Sequence, residues 1–183
     1  MSTQTTTQAV PAGTYKVDPV HSTINFAVVY NGVTTFRSGF RAYEATLAGG
    51  EAPELEGTVE VASIDIDEEA FKGHLLSPDF FDAERHPQLK FSSTEIKLGE
   101  GNEVTVRGAL EIRGQAHEVE ASGRIAQVGA DLGGNTRVGL SLAADVDRRS
   151  FGLDWNADLP GGGQALEYEV QINVELSFVG EAA

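Results

Sequence analysis

Four histidines are the side chains best suited to acid–base or metal chemistry: His21, His74, His86 and His117. Metal-binding histidines that are close in sequence commonly show HxH or HExxH spacing, and neither spacing occurs in this chain. His74 and His86 lie 12 positions apart, so only the fold could bring metal ligands together. Structural or surface histidines are the simpler interpretation, and the sequence predicts no metal site.

One stretch places the three residue types of a serine hydrolase close together: Asp18, His21 and Ser22. Side chains of adjacent residues on a strand point to opposite faces, which separates His21 from Ser22. The chain also lacks a GxSxG motif, the turn that presents a nucleophilic serine in α/β-hydrolases. We therefore predict no catalytic residues and no enzyme activity. The alternative is an enzyme that acts on a lipid or small amide with His21, His74 or His86 as general base.

Aromatic residues are a stronger indication of function, because they are spread over many segments of the chain. They are Phe26, Phe36, Phe40, Phe80, Phe81, Phe91, Phe151 and Trp155. Small residues also occur inside segments that alternate like strands, namely Gly39, Gly57, Gly108, Ala121, Gly123, Gly139 and Ala144. Glycine weakens a strand unless it makes a bulge, a bend or room for a ligand. Small residues in a barrel wall therefore predict internal space, and a filled barrel that acts as an interaction module is the alternative.

Charge and composition limit the partners. The chain has 183 residues, of which 40% are hydrophobic, and a formal net charge of −15. An acidic surface repels phosphate backbones and anionic membranes, so no nucleic-acid partner is expected. No apolar run approaches the roughly 20 residues of a spanning helix, so no stable membrane insertion is expected. The chain has no cysteine, which excludes disulfides and thiolate metal sites.

The beginning of the chain predicts a domain boundary. Residues 1–12 are rich in Thr and Gln, which is typical of a disordered tail, and residues 13–180 are predicted to form a single domain. The N-terminus lacks the basic and apolar regions of a secretory signal, so a cytoplasmic location is expected.

Most of residues 13–180 alternate between apolar and polar side chains, as strands with one buried face do. The longest run, residues 166–178, alternates over 13 positions, whereas a typical strand has about 5–6 residues. Residues 55–67 change phase within one run, which indicates a β-bulge. Counting the runs gives eight strands joined by short glycine-containing turns. The sequence therefore predicts an all-β fold, an eight-stranded antiparallel barrel that holds one small ligand or is filled by side chains.

Residues 71–87 interrupt this alternation. Phe71, His74 and Leu75 have helical spacing, and a Ser-Pro pair can begin a second short turn after them. These signals predict one short helical segment around residues 69–85. A segment this apolar must pack over the outer face of the sheet or over the mouth of the barrel. We interpret it as a lid, with a core-packing helix as the alternative.

An ordered set of short motifs carries a family resemblance. In chain order they are Tyr15-Lys16-Val17-Asp18, His21-Ser22-x-Ile24-x-Phe26, Ser38-Gly39-Phe40, Ser63-Ile64-Asp65, His74-Leu75, Asp79-Phe80-Phe81-Asp82, His86-Pro87, Phe91-Ser92-Ser93, Gly108-x-Leu110-x-Ile112-Arg113-Gly114 and residues 148–152, which end in Phe-Gly. Together they resemble the YceI-like family of bacterial polyisoprenoid-binding proteins. The resemblance implies an extended lipocalin-like barrel with a long isoprenoid chain threaded through its interior. It also implies no enzymatic activity and a possible homodimer.

The ligand expected from this resemblance is a polyprenyl lipid or an isoprenoid quinone, bound for transport or storage, with no other cofactor. By strand phase, the predicted lining is Ile24, Phe26, Val28, Phe36, Phe40, Leu110, Ile112, Leu140, Leu142, Val170, Ile172 and Val174. The predicted mouth is formed by Phe71, Leu75, Phe80, Phe81 and Trp155. A long loop at residues 148–165 is the second expected gate, since three consecutive glycines at 161–163 can act as a hinge.

Overall fold

The computed structural model describes residues 9–128 and 130–180. Its strands are β1 (Gly13–Val17), β2 (Thr23–Tyr30), β3 (Thr34–Phe40), β4 (Tyr43–Gly49), β5 (Glu54–Glu60), β6 (Gln88–Leu98), β7 (Glu103–Ile112), β8 (Gln115–Val128), β9 (Arg137–Asp147) and β10 (Leu166–Gly180). One α-helix in this described part, α1 (Glu69–Leu76), lies between β5 and β6. Three short 3-10 turns are formed by Pro19–His21, Val61–Ser63 and Arg148–Phe151.

The ten strands occupy eight positions around a closed antiparallel barrel. Strands β1 and β2 are two halves of one position, because both pair with β10, and β3 and β4 are the halves of the next. The order then runs from β4 through β5, β6, β7, β8 and β9 to β10, and the β1–β10 pairing closes the ring. The predicted eight-stranded antiparallel barrel is confirmed.

Local chemistry explains where the first barrel position breaks. Pro19 has no N–H to donate to a neighbouring strand, and it begins the 3-10 turn between β1 and β2. The Asp18 carboxylate accepts the N–H of Val20 and so caps this turn. The hairpin between β2 and β3 turns at Asn31 and Gly32, which both have positive φ, as a two-residue Asn-Gly hairpin turn requires.

The predicted continuous strand over residues 55–67 is wrong in its second half. Strand β5 ends at Glu60, and the chain then makes the 3-10 turn Val61–Ser63. This turn, rather than a bulge, changes the phase, so that Val61 and Ile64 are both buried. Ile64 then makes an isolated bridge to Phe40 at the end of β3.

Helix α1 lies beside a gap in the barrel wall. Strand β3 pairs with β2 on one side, whereas its only bridge on the other side within the described residues is Phe40–Ile64. Phe71 of α1 packs edge-on against Phe36 with ring centroids 5.3 Å apart, and Phe81 does the same to Phe40 at 6.0 Å. Turns follow α1 where a second helical turn was expected. The segment predicted as a lid therefore covers the gap beside β3.

The interior has two clusters of buried apolar side chains. One lies at the end of the barrel where β1 pairs with β4 and β10, which we call the closed end. The other joins Phe40, Ile64, Leu75, Phe80, Phe151 and Leu153 at the opposite end, beside α1 and the β2–β3 hairpin. The wall between these two ends encloses the site described below.

The closed end corrects the predicted tail boundary. Val10 was placed in a disordered tail, yet it is only 1% exposed and belongs to the closed-end cluster. Its carbonyl accepts the N–H of Gly50, and the Pro11 carbonyl accepts the hydroxyl of Tyr15. The ordered chain thus begins before Gly13, because an apolar valine fills the barrel end; residues 1–8 of the predicted tail lie outside the described residues.

A network of ion pairs stabilises the closed end. Arg137 Nη1 lies 2.9 Å from Asp18 Oδ2, and Arg137 Nε lies 2.7 Å from Asp131 Oδ2. Hydrogen bonds from His21 and Arg137 lower the pKa of Asp18 to about 2. Hydrogen bonds from Arg137 and from the N–H of Asn135 lower the pKa of Asp131 to about 2.

This network should make stability depend on pH in the acid range. A carboxylate with a lowered pKa stabilises the fold above its unfolded-state pKa near 4, and the contribution is lost as the pH falls toward 2. We expect Arg137→Met to lower Tm by a few degrees at pH 7 and to flatten the pH dependence between 4 and 2. Thermal melts from pH 2 to 7 would measure both effects. Arg107→Met removes an exposed pair with Glu120 and is the matched control, for which little change is expected. Equal pH slopes for Arg137→Met and the wild type would contradict the prediction.

Candidate ligand-binding cavity

A cavity of about 940 Å³ occupies the barrel interior between the closed end and α1. Its wall is made mainly by apolar side chains from the strands, from the α1 segment and from the loop that follows β9. Every residue predicted for the lining or the mouth, except Leu140, lies on this wall. Their contact with a ligand stays a prediction. The continuous cavity argues against the alternative of a filled barrel.

Leu140 was assigned to the lining, and the structure places it elsewhere. It is 2% exposed and belongs to the closed-end cluster, paired with Ile125 on β8 and Leu176 on β10. Leu142, two residues further along the same face of β9, does reach the cavity. Both leucines face inward, but they differ in depth, and depth depends on how the strands are staggered around the barrel.

Cross-strand pairs build one wall of the cavity. Val28, Phe26 and Ile24 on β2 stand opposite Val170, Ile172 and Val174 on β10, respectively. Because side chains alternate along both strands, all six inward side chains form one apolar surface. The Phe26 ring lies 6.2 Å from that of Phe36 and 5.9 Å from that of Phe40, which extends this surface onto β3.

Small residues make room at other places in the wall, as expected for some of them. Gly57, Ala121 and Ala144 line the cavity. Gly108 and Gly123 do not, and their small size has another cause. A Cβ at Gly123 would lie 1.8 Å from the carbonyl oxygen of the neighbouring strand, and a Cβ at Gly108 would lie 2.4 Å from another. These two glycines therefore permit close strand approach instead of providing ligand space.

Aromatic rings surround the mouth of the cavity. His74 of α1 lies edge-on to Phe80, with ring centroids 5.1 Å apart, and edge-on to Trp155 at 4.8 Å. Its Nε2 lies 3.0 Å from Asp79 Oδ2. Phe71 and Tyr30 are both wall residues and partly exposed. These contacts join the α1 segment to the loop that carries Trp155.

The first half of that loop is held by Arg148, which was not among the predicted site residues. This arginine is 6% exposed. Its Nη1 donates to the carbonyls of Leu153 and Trp155 at 2.6 and 2.9 Å, and its Nε donates to the carbonyl of Glu167 at 3.0 Å. Burial lowers the pKa of Arg148. Phe151 and Leu153, which were also not predicted as wall residues, are buried in the same loop. The sequence of this loop does not alternate between apolar and polar residues. Its burial follows from the contacts with Arg148, which only the folded chain forms.

We expect Arg148→Met to release this loop. The substitution keeps an apolar stem but leaves three carbonyls without their donor, and each lost hydrogen bond to a charged group is worth about 1.5–3 kcal/mol. Losses at neighbouring contacts are not additive, so the free energy of unfolding should fall by roughly 3 kcal/mol in total, and the fluorescence of Trp155 should shift to longer wavelength. Arg149→Met is the matched control, since the Arg149 side chain is exposed and pairs with Asp147; its effect should stay below about 1 kcal/mol. Similar losses in both variants would contradict this role of Arg148.

The side chains of Asp18, His21 and Ser22 do not form a hydrogen-bonded triad. His21 Nδ1 lies 2.8 Å from Asp18 Oδ2, while Ser22 Oγ accepts the N–H of Ser177. His21 and Ser22 thus have different partners. Within residues 9–128 and 130–180, no group of three or more His, Asp or Glu side chains could hold a metal ion. In the same part of the chain, no helix is long and apolar enough to cross a membrane.

Known sequences match this chain over most of its length. A profile of the YceI-like domain matches residues 15–178. A UPF0312 protein of Photorhabdus laumondii is 28% identical over 170 residues, which cover 90% of this chain and 86% of the relative. Protein YceI of Salmonella arizonae is 27% identical over 176 residues, which cover 93% of this chain and 90% of the relative.

Solved structures share the fold. The structure of BcnA from Burkholderia cenocepacia superposes with a TM-score of 0.75 at 24% identity, covering 88% of this chain and 98% of BcnA. A polyisoprenoid-binding domain from Saccharophagus degradans superposes with a TM-score of 0.71 at 12% identity, covering 91% of this chain and 98% of that domain. At such identities the likeness supports the barrel fold.

Proposed function

The chain belongs to the YceI-like family, and from that premise we propose that it binds a long-chain isoprenoid lipid in its barrel cavity. The ligand would be a polyprenyl lipid or an isoprenoid quinone, carried or stored without chemical change. One observation carries the proposal, an apolar cavity of about 940 Å³ that ends at a packed closed end. The ligand of the Saccharophagus degradans domain, a structural neighbour, is a polyisoprenoid, which supports the same ligand class here.

The size of the cavity limits the ligand. A CH₂-sized group occupies about 30 Å³, similar to the share of one water molecule in the liquid. The cavity of about 940 Å³ therefore holds roughly 30 carbon atoms, or about six five-carbon isoprene units,. Burial contributes about 0.8 kcal/mol per CH₂ group. Full burial of a chain of this length would reach the limit of non-covalent binding, about −18 to −21 kcal/mol, so the ligand should survive purification.

Native mass spectrometry of freshly purified protein tests the proposal, combined with organic extraction of the released material. We expect an excess mass that is recovered as an isoprenoid or other long-chain lipid. If the protein is empty, titration with prenyl alcohols and quinones follows, and tight binding is expected for tails of up to about six units. A protein that binds none of these lipids would contradict the proposed function.

A further inference from the structure

His74 places a polar group at the mouth of a mainly apolar wall. Its ring packs edge-on against both Phe80 and Trp155, whose rings also contact each other at 5.3 Å, and His74 itself lines the cavity. Only one of its two ring nitrogens has a partner among the described residues, namely Nε2, which lies 3.0 Å from Asp79 Oδ2. Packing against these two rings and the carboxylate together fix the orientation of the ring.

The Asp79 contact determines which nitrogen carries the proton in the neutral ring. An ionised carboxylate can only accept hydrogen bonds, so Nε2 must be the donor, and Nδ1 is left with a free lone pair. In the described part of the chain, the one enclosed side-chain nitrogen or oxygen that lacks a partner is Arg148 Nη2. Nδ1 of His74 is therefore accessible, and it can accept one hydrogen bond.

We propose that His74, held by Asp79, recognises a hydroxyl on the head group of the ligand. This inference rests on the proposed function and specifies its ligand further. A lone pair on Nδ1 selects a head group that donates a hydrogen bond: a prenyl alcohol, a prenyl phenol or a hydroquinone. An oxidised quinone presents only carbonyl oxygens, which cannot donate, so it gains nothing from this nitrogen.

Arg148 does not offer an equivalent contact. Its Nη1 and Nε already bind three backbone carbonyls, and its Nη2 is enclosed. The guanidinium group therefore stabilises the loop and has no accessible donor for a ligand. At the mouth, His74 combines a ring orientation fixed by Asp79 with an acceptor nitrogen that has no partner among the described residues.

A pair of matched ligands tests the proposal. Geranylgeraniol can donate a hydrogen bond through its hydroxyl, whereas its methyl ether cannot. Affinities are measured at pH 8.5, where an imidazole in water is neutral, through the fluorescence of Trp155, the single tryptophan of the chain. His74→Phe keeps an aromatic ring packed against Phe80 and Trp155 and removes both ring nitrogens. We expect this change to lower the ratio of alcohol to ether affinity about fivefold, the effect of one ordinary hydrogen bond.

Two further variants serve as a control and as a second test of the inference. His117→Phe makes the same substitution at an exposed histidine outside the cavity wall, and the ratio should not change. Asp79→Ala frees the ring to exchange its proton between nitrogens and should lower the ratio by a smaller factor, which keeps the test open if His74→Phe fails to fold. An unchanged ratio in folded His74 and Asp79 variants that bind both ligands would overturn the inference and leave the carrier function standing. If neither ligand binds the wild type, the proposed function fails and the inference fails with it.

Discussion

Phe26→Glu is expected to abolish lipid loading, weakening binding by far more than about 100-fold. Phe26 stands on the cavity wall, in contact with Phe36 and Phe40 and opposite Ile172 on β10. A carboxylate at this position would have to remain hydrated, and covering it with a lipid tail costs several kcal/mol. Native mass spectrometry of the purified variant would show the mass of the empty chain.

The control for this variant lies on the other face of the same strand. Val29 is 37% exposed and does not line the cavity, so Val29→Glu should load lipid normally. Leu140→Glu would be a poor comparison, because Leu140 is buried in the closed-end cluster and a charge there would unfold the barrel. A folded Phe26→Glu protein that carries as much lipid as the wild type would exclude Phe26 from the ligand contact.

Gly123→Ala is expected to have the largest effect on stability. A Cβ at this position would lie 1.8 Å from the carbonyl oxygen of Ser141, on the strand that pairs with β8. A backbone carbonyl cannot rotate away as a flexible side chain can. Strands β8 and β9 would therefore have to separate. We expect a loss of at least about 4 kcal/mol in the free energy of unfolding, or failure to fold. Urea denaturation followed by circular dichroism measures this loss.

Gly73 provides the matched substitution in open space. It lies in α1, it is exposed, and nothing lies within 4 Å of a Cβ built there. Gly73→Ala should therefore raise stability by about 0.5–1 kcal/mol, because alanine restricts the unfolded chain and favours a helix. A Gly123→Ala protein as stable as the wild type would show that the two strands can adjust their spacing.

The alternation of apolar and polar residues predicted the barrel, because each strand has one face that is shielded from water. Strand β10 illustrates this, since its inward residues alternate from Val170 to Phe178 and pair in register with β9. The same periodicity cannot give the depth of a residue inside the barrel. Leu140 and Leu142 have identical patterns around them, and only the stagger of the strands places the first in the closed end and the second on the cavity.

Other errors in prediction came from contacts between distant parts of the chain. Val10 was assigned to a polar tail, because nothing in the local sequence shows that the closed end of the barrel needs one more apolar side chain. Arg148 was not predicted to be a buried residue at the site, because an arginine in a loop is usually solvated. Its burial depends on carbonyls of Leu153, Trp155 and Glu167, which only the folded loop brings together.

The incomplete pairing of β3 has a consequence for the behaviour of the protein in concentrated solution. Within the described residues, Thr34–Arg37 has a strand neighbour on one side only, and Phe71 of α1 packs against Phe36 on this strand. A strand edge with unpaired N–H and C=O groups is a template for edge-to-edge aggregation. Any displacement of α1 that widens the mouth for lipid exchange would expose more of this edge. The same helix would then control both ligand exchange and colloidal stability, with the empty protein at greater risk of self-association than the loaded one.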